Sequence, residues 1–327
     1  MKRLTACLLA LPALLASLSS QAQSADAFPD RPIRLIVPVA AGGGVDTAFR
    51  TLAPYWAEQL GQPVVVENRP GAGQAIGIDA VAKSKPDGYT LAGVGVPIAF
   101  NTALGRKLPY DPVKDLTAVA EVVTQPLLVV AHPAVAAKNL RELIDAAPTQ
   151  ANPLAYTSGG PGSYGHLWFE MVASQYKLSR QHIGYNGVAP ALRDVLGGQV
   201  PVLIDAIVPT GTQVKAGKVR GLAIVRSTRS AMLPDVPTLQ EQGLKDFEVA
   251  VWHGLYVAKG TPKPVLDKLN AALVAAIKDQ QFKDSLTKLG AEAVTPDKAT
   301  PESLAKHLKA EIEKWAPIIK KAGVYAD

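Results

Sequence analysis

From Ile33 onward, short unbroken apolar runs alternate with segments whose apolar residues recur every three or four positions. Residues 33–37, closed off by Pro32 and Pro38, predict a buried strand. Phe49, Leu52, Trp56 and Leu60 then mark one face of a helix that ends at Gly61. Val64 to Val66 predict a second strand, and a short helix follows to about Lys83. Pro86-Asp87-Gly88 reads as a turn and 89–94 as a third strand. Strands without polar alternation are buried on both faces. Alternating with helices, they predict an α/β fold whose sheets are mostly parallel and flanked by helices.

The apolar run 119–131, interrupted by Thr124-Gln125-Pro126, suits a crossover strand rather than a single core strand. A second α/β series then begins: helix 140–147, strand 154–157, the loop "SGGPGSYG", and a helix carrying Leu167, Met171 and Val172. Strands are predicted at 182–185 and 200–207, with helix 189–196 between them. Another follows at 219–225, and 249–258 reads as a return crossing. Apolar stripes at Leu266, Leu269, Leu273 and Ile277, at Phe282, Leu286 and Leu289, and at Leu304, Leu308, Ile312 and Trp315 predict three C-terminal helices packed on a core. A strand, a glycine-rich loop and a helix open each half, at 33–50 and 154–172. This predicts two domains, 28–125 plus 250–327 and 126–249, joined by two crossing hinge segments with a cleft between them.

The N-terminus adds a location. Lys2 and Arg3 precede an apolar run, 4–18, that gives way to small residues. This is the pattern of a secretory signal peptide over 1–27, with cleavage expected after Ala22 or Ala27. Cys7 is the only cysteine and leaves with that segment, so the mature chain has no disulfide and no thiolate metal site. The net charge of +6 is spread along 327 residues, with no Lys/Arg run longer than two. That excludes a nucleic-acid or polybasic membrane contact.

Gly42-Gly43-Gly44 lies between a strand and a helix start, where unpaired backbone N–H groups and a partial positive charge hold anions. Asp46 leaves two readings open: part of an anion-binding loop, or the N-cap of a helix starting at Thr47. No Lys-Ser/Thr pair follows, so this is not a phosphate-binding P-loop. Gly160 to Gly165 matches G-x-G-x-x-G, but the next strand ends in Asn186 rather than an acidic residue, and Pro161 removes an N–H. Dinucleotide binding is therefore not expected. Ser163, His166 and Asp205 have the residue types of a hydrolase triad, but Pro161 replaces the glycine of a nucleophile elbow. His166 and Glu170 share a helix face without a third metal ligand nearby, so His166 reads as a capping or packing residue. Asp205 ends an apolar strand, as a ligand contact or as a cap or turn carboxylate before Pro209.

These segments, with "FPDRPIRLIVP", "LGQPVVVENRPGAGQ", "KPDGYTL", "LPYDP", "YTSGGPGSYGHL", "LGGQV", "LPDVPTLQEQG" and "GTPKPVLDKLN", run collinearly over the whole mature chain. In them the chain resembles the Bug family, periplasmic receptors of tripartite tricarboxylate transporters. The resemblance implies a clamshell binding fold that closes on a small carboxylate and delivers it to membrane permease subunits. It implies no enzyme activity, cofactor or metal, and a monomer in the periplasm. The family holds the carboxylate largely by backbone amides and ordered waters at two opposed loops. By motif matching, the ligand-binding residues are Val39, Ala40, Ala41, Gly43, Gly44, Asp46, Ser158, Gly162, Ser163, Tyr164, His166, Tyr185, Asn186 and Asp205. Val39-Ala40-Ala41 departs from the family's bulkier, proline-rich first loop, and Asn186 stands where a basic residue is common. The alternatives are a sensor partner of a membrane signalling protein and an exported serine hydrolase.

Overall fold

In the computed structural model, which describes residues 28–146, 152–244 and 246–322, the chain begins β1 (Ile33–Val37), α1 (Gly44–Leu60), β2 (Val64–Asn68), α2 (Ala75–Ala82), β3 (Thr90–Gly95), α3 (Pro97–Ala103) and β4 (Leu116–Ala131). It continues with α4 (Leu140–Asp145), β5 (Leu154–Ser158), α5 (Tyr164–Tyr176), β6 (Arg180–Ile183), α6 (Val188–Leu196), β7 (Val202–Ala206), α7 (Ile207–Lys215), β8 (Arg220–Ile224) and β9 (Ala250–Ala258). Helices α8 (Lys263–Lys278) and α9 (Gln280–Lys288), the short β10 (Glu292–Ala293) and α10 (Pro301–Ala322) complete it. The expected signal peptide and its cleavage sites lie outside the described residues.

The strands form the order β2-β1-β3-β9-β4-β7-β5-β6, with β8 and β10 also paired to β4. Each half keeps a parallel core, β2-β1-β3 and β7-β5-β6. The two crossing strands pair antiparallel with each other and with their neighbours. The sheet is therefore mixed, and β4 belongs to both halves. It pairs with β9 from Leu116 to Pro126, and from Leu127 with β7. The expected interruption at Thr124-Gln125-Pro126 is thus a change of partner rather than a break. Proline has no N–H for a ladder, so a strand exchanges neighbours there at least cost.

Successive residues of β4 feed opposite cores: Leu127, Val129 and Ala131 enter one hydrophobic cluster, Leu128 and Val130 the other. Each cluster draws on both halves, one lying against each face of the sheet. This is why the strand segments read as continuous apolar runs. Trp168 is fully buried and its Nε1 donates to Phe247 O at 2.7 Å, so it packs the helix rather than lining an open pocket.

Helices α3 and α7 and strand β10 were not visible in the pattern, and β6 lies two residues ahead of the predicted 182–185. α7 reads IVPTGTQVK, in which proline, glycine and β-branched residues dominate. Its propensity is poor, but Pro209 falls in the first turn, where a missing N–H costs nothing. No helix of the described residues is long and apolar enough to cross a membrane.

Candidate functional site

The loops leaving the C-terminal ends of β1, β2, β3, β5, β6 and β7 each lead into a helical start, the edge where open α/β sheets bind ligands. Their first N–H groups have no partner within the helix, so the edge is electropositive without needing basic side chains.

The first loop runs from Pro38 to Gly43, and α1 takes Gly43 as its N-cap. Asp46 is therefore not the cap but the third helical residue, and its carboxylate turns back. It accepts from Gly42 N at 2.8 Å, Arg50 Nε at 2.9 Å and Asn68 Nδ2 at 2.8 Å. Asn68 Nδ2 also reaches Val39 O at 3.0 Å. Burial alone pushes the Asp46 carboxyl upward, but the Gly42 N–H, Asn68 and Arg50 outweigh it and hold the group below its ordinary range. Asp46 shapes the loop from inside, while Ala40, Ala41 and Gly42 stay exposed and Val39 is half-buried.

The second loop, 159–163, is organised around Ser158, which is fully buried. Ser158 Oγ accepts from Ser163 Oγ at 2.8 Å and from Gly160 N at 3.3 Å, and lies 2.9 Å from His182 Nε2. Gly162 N donates to His166 Nδ1 at 2.9 Å. The His166 and His182 rings stack with centroids 3.9 Å apart. Burial lowers both imidazole pKa values, and for His182 the neighbouring His166 adds to the effect, bringing it to about 4. Behind them Glu170 takes the Tyr156 hydroxyl at 2.8 Å and pairs with Arg180. A triad is not assembled: Ser163 donates to Ser158, and His166 Nδ1 is occupied by the loop backbone. His166 therefore holds the loop in the capping role its position suggests.

The glycines here are required by contact rather than by a nucleotide. A Cβ on Gly160, whose φ is 127°, would lie 2.6 Å from Tyr185 O. One on Gly165 would lie 1.9 Å from Ile204 O, so α5 rests directly on β7. The G-x-G-x-x-G spacing thus reproduces the close helix–strand approach of a dinucleotide fold for a different loop.

Asp205 does not cap α7, whose N-cap is Ala206. Its carboxylate accepts the Ala206 N–H at 2.8 Å and also the Gly159 N–H, tying the end of β7 to the second loop. Protein surrounds it on nearly all sides, although an edge stays accessible. Burial raises its pKa to about 6 against the pull of those two amides. Two tyrosines expected at the ligand already have partners within the protein, Tyr164 buried and Tyr185 part-exposed. Tyr164 packs on Phe100 and Trp315 and donates to Ala250 O at 2.9 Å, and Tyr185 donates to Asp194 at 2.6 Å. Asn186 is exposed and contacts neither loop by a hydrogen bond.

The structure also brings in residues that the sequence did not flag. Gln125 and His253, from the two crossing strands, are 2% and 1% exposed. Gln125 Oε1 accepts Val208 N from α7 at 3.2 Å, which leaves Nε2 to face His253 Nε2 at 2.8 Å. The same Nε2 would lie 3.0 Å from a Cβ on Gly44. The first loop's helix, both crossing strands and α7 therefore meet at one amide. A polar pair inside two apolar runs was the available signal. Among the described residues no cluster of three or more side chains offers a metal site.

A family model described as "Tripartite tricarboxylate transporter family receptor" matches residues 48–324 of this chain. Protein BugT of Bordetella pertussis is 36% identical over 302 residues, 92% of each chain. Among solved structures, the periplasmic binding protein BugD superposes with a TM-score of 0.83 at 36% identity, covering 92% of this chain and all of BugD. MatC from Rhodopseudomonas palustris, with bound malate, gives a TM-score of 0.82 at 34% identity over 89% of this chain and all of MatC.

Proposed function

The chain belongs to the tripartite tricarboxylate transporter receptor family, and from that premise we propose that it captures a small organic carboxylate between its two glycine loops. It acts in the periplasm, carries out no chemistry of its own, and passes the ligand to the permease subunits of a membrane transporter. The observation that carries this reading is the loop pair itself. Two helix N-termini, one from each half, open from glycine loops whose acidic and imidazole side chains are already engaged by their own backbone. What remains to meet a ligand is N–H groups and positive helix ends, which suit a carboxylate. The malate bound to MatC supports the same class.

Residues 28–125 with 250–327 form one lobe in this reading and 126–249 the other. Closure is then a flexing of β4 and β9 where their partners change, with ligand favouring the closed population. Val39, Ala40, Ala41, Gly43, Gly44, Gly162 and Ser163 face the ligand. Asp46, Ser158, His166 and Asp205 position the backbone that grips it.

A thermal-shift screen tests the reading. A carboxylate present at about 100 times its Kd stabilises the protein by about 2.7 kcal/mol, whereas its amide and methyl ester do not. A screen in which neutral sugars stabilise and no carboxylate does would refute it.

A further inference from the structure

Six asparagines occur along the chain, and the fold treats one of them differently. Four have their side-chain amides fixed by hydrogen bonds. Asn68 Oδ1 accepts from Arg50 Nη2 at 2.6 Å, and Asn101 Nδ2 donates to Gly73 O at 2.7 Å. Asn139 Oδ1 accepts from Glu142 N at 2.8 Å, and Asn270 Nδ2 donates to Ala299 O at 2.8 Å. Asn152 precedes Pro153, which has no N–H. Asn186 alone combines exposure, a side chain with no hydrogen-bond partner among the described residues, and a glycine that follows it.

Gly187 is the N-cap of α6, with φ 105°. Its N–H reaches no acceptor among the described residues, and a Cβ at this position would meet nothing within 4 Å. The backbone nitrogen next to the Asn186 amide is therefore both unbonded and open. The segment lies against the second loop: a Cβ on Gly160 would sit 2.6 Å from Tyr185 O, and one on Gly184 3.2 Å from Pro161 Cγ. Asp87-Gly88 has a comparable sequence but is closed. Asp87 accepts from Tyr89 N at 3.0 Å and Arg31 Nη2 at 3.2 Å, and a Cβ on Gly88 would lie 2.3 Å from Val265 Cγ1.

We propose that Asn186-Gly187 is a self-modification site, at which the side-chain amide is lost through a succinimide and a carboxylate replaces it at the rim of the second loop. Gly187 N gives its proton to solvent and attacks Asn186 Cγ. The bond from Cγ to Nδ2 breaks, ammonia leaves, and a five-membered ring closes. Water then opens that ring. Addition at Cγ breaks the new bond and gives an aspartyl residue. Addition at the main-chain carbonyl breaks the original peptide bond and gives an isoaspartyl residue, whose backbone is one carbon longer. One water is consumed and one ammonia released, and nothing is oxidised or reduced. Glycine suits the step because no Cβ obstructs the attacking nitrogen. Either product carries a negative charge just ahead of the α6 N-terminus, where the helix dipole favours it.

The test is incubation of the full mature chain in ammonium-free, mildly alkaline buffer, followed by ion-exchange chromatography, an ammonia assay and peptide mass mapping. A more acidic form is expected to accumulate in step with ammonia. Its aspartyl and isoaspartyl products are expected at position 186 ahead of every other asparagine. Asn186→Gln is expected to abolish this form without changing the melting temperature, because the longer side chain would have to close a less favoured ring. Asn186→Ser has no amide to lose and should behave in the same way. Earlier conversion at any other asparagine would overturn the proposal. So would retention of Asn186 in the native chain under conditions where the guanidinium-unfolded chain converts it, since the fold would then protect the site. An aspartyl product with no isoaspartyl form would also overturn it, because direct hydrolysis would then replace the ring.

Discussion

The two loops share one feature reached with different residues: an acidic or imidazole side chain in the first turn of the helix bonds back to the loop backbone. Asp46 does so in the first loop at Gly42, held by Arg50 and Asn68, and His166 does so in the second at Gly162. The glycines themselves are not equivalent. Gly43 has φ −75°, and its Cβ would meet only Ala40 O at 3.5 Å and Val39 at 3.9 Å. Gly162 has φ 72° and a Cβ position 3.3 Å from Leu104. Gly43→Val is therefore expected to keep the melting temperature and to abolish ligand binding by shielding the start of α1. Gly162→Val is expected to abolish binding and also to lose about 1–2 kcal/mol of stability from the left-handed backbone. Urea unfolding with ligand titration separates the two; equal stability loss in both variants would contradict this assignment. Ser158, Gly162, Ser163 and His166 could be grouped from the sequence because they lie within nine residues of one another. The partners that define their roles were not, since His182 stands 24 residues from Ser158, and Gln125 meets His253 across 128.

At the level of elements, apolar runs identified the central parallel strands, which are largely buried, whereas the edge strands β2 and β6 are part-exposed and the sequence RQHI of β6 left its start two residues out. The runs could not show which neighbour each strand takes, and so the partner change at Pro126 read as an interruption. α7 was hidden because its nine residues gain their helicity from packing rather than propensity. The stacked pair of His166 on α5 and His182 on β6, together with His253 on β9, makes the fold sensitive to acid. His182 and His253 titrate at about 4 in the fold, and burial lowers His166 as well. An unfolded histidine titrates near ~6.5. Their neutral forms thus stabilise the protein fully above that value, and the contribution is lost as pH falls toward 4. For each of His182 and His253 this is on the order of 2–3 kcal/mol, with screening reducing the share of the half-buried His182. Asp205 acts in the opposite sense. Its folded pKa of about 6 lies above the ordinary carboxylate value, so it stabilises most at low pH and less as pH rises through 6. The net expectation is a stability that declines between about pH 7 and about pH 4.5, and declines more steeply in Asp205→Asn, which removes the opposing contribution. Urea midpoints measured across that range check it; a shallower decline in the variant would show the sign to be wrong.

Across the whole molecule, the two hydrophobic clusters run through both halves, so the lobes are parts of one sheet rather than beads on linkers. The closure proposed above would pass through β4 and β9, and the polar pair Gln125–His253 sits in those strands, where burial makes any unpaired group costly. Gln125→Leu strands both Val208 N and His253 Nε2 and is expected to cost about 2–4 kcal/mol. His253→Leu removes only the partner of Gln125 Nε2 and leaves Val208 N bonded to Gln125 Oε1, so its cost should be smaller, about 1 kcal/mol. If the pair is a real bond, the double variant is less destabilised than the sum by about 0.5–1.5 kcal/mol, as read from a double-mutant cycle in urea. Additivity within about 0.3 kcal/mol would deny the coupling. Ligand affinity provides the second reading of the same cycle. Gln125 also borders Gly44 at the start of α1, so any variant lacking it should bind carboxylate more weakly, whereas His253→Leu alone should weaken binding less. That order would connect the crossing strands to the first loop through one amide, and the reverse order would disconnect them.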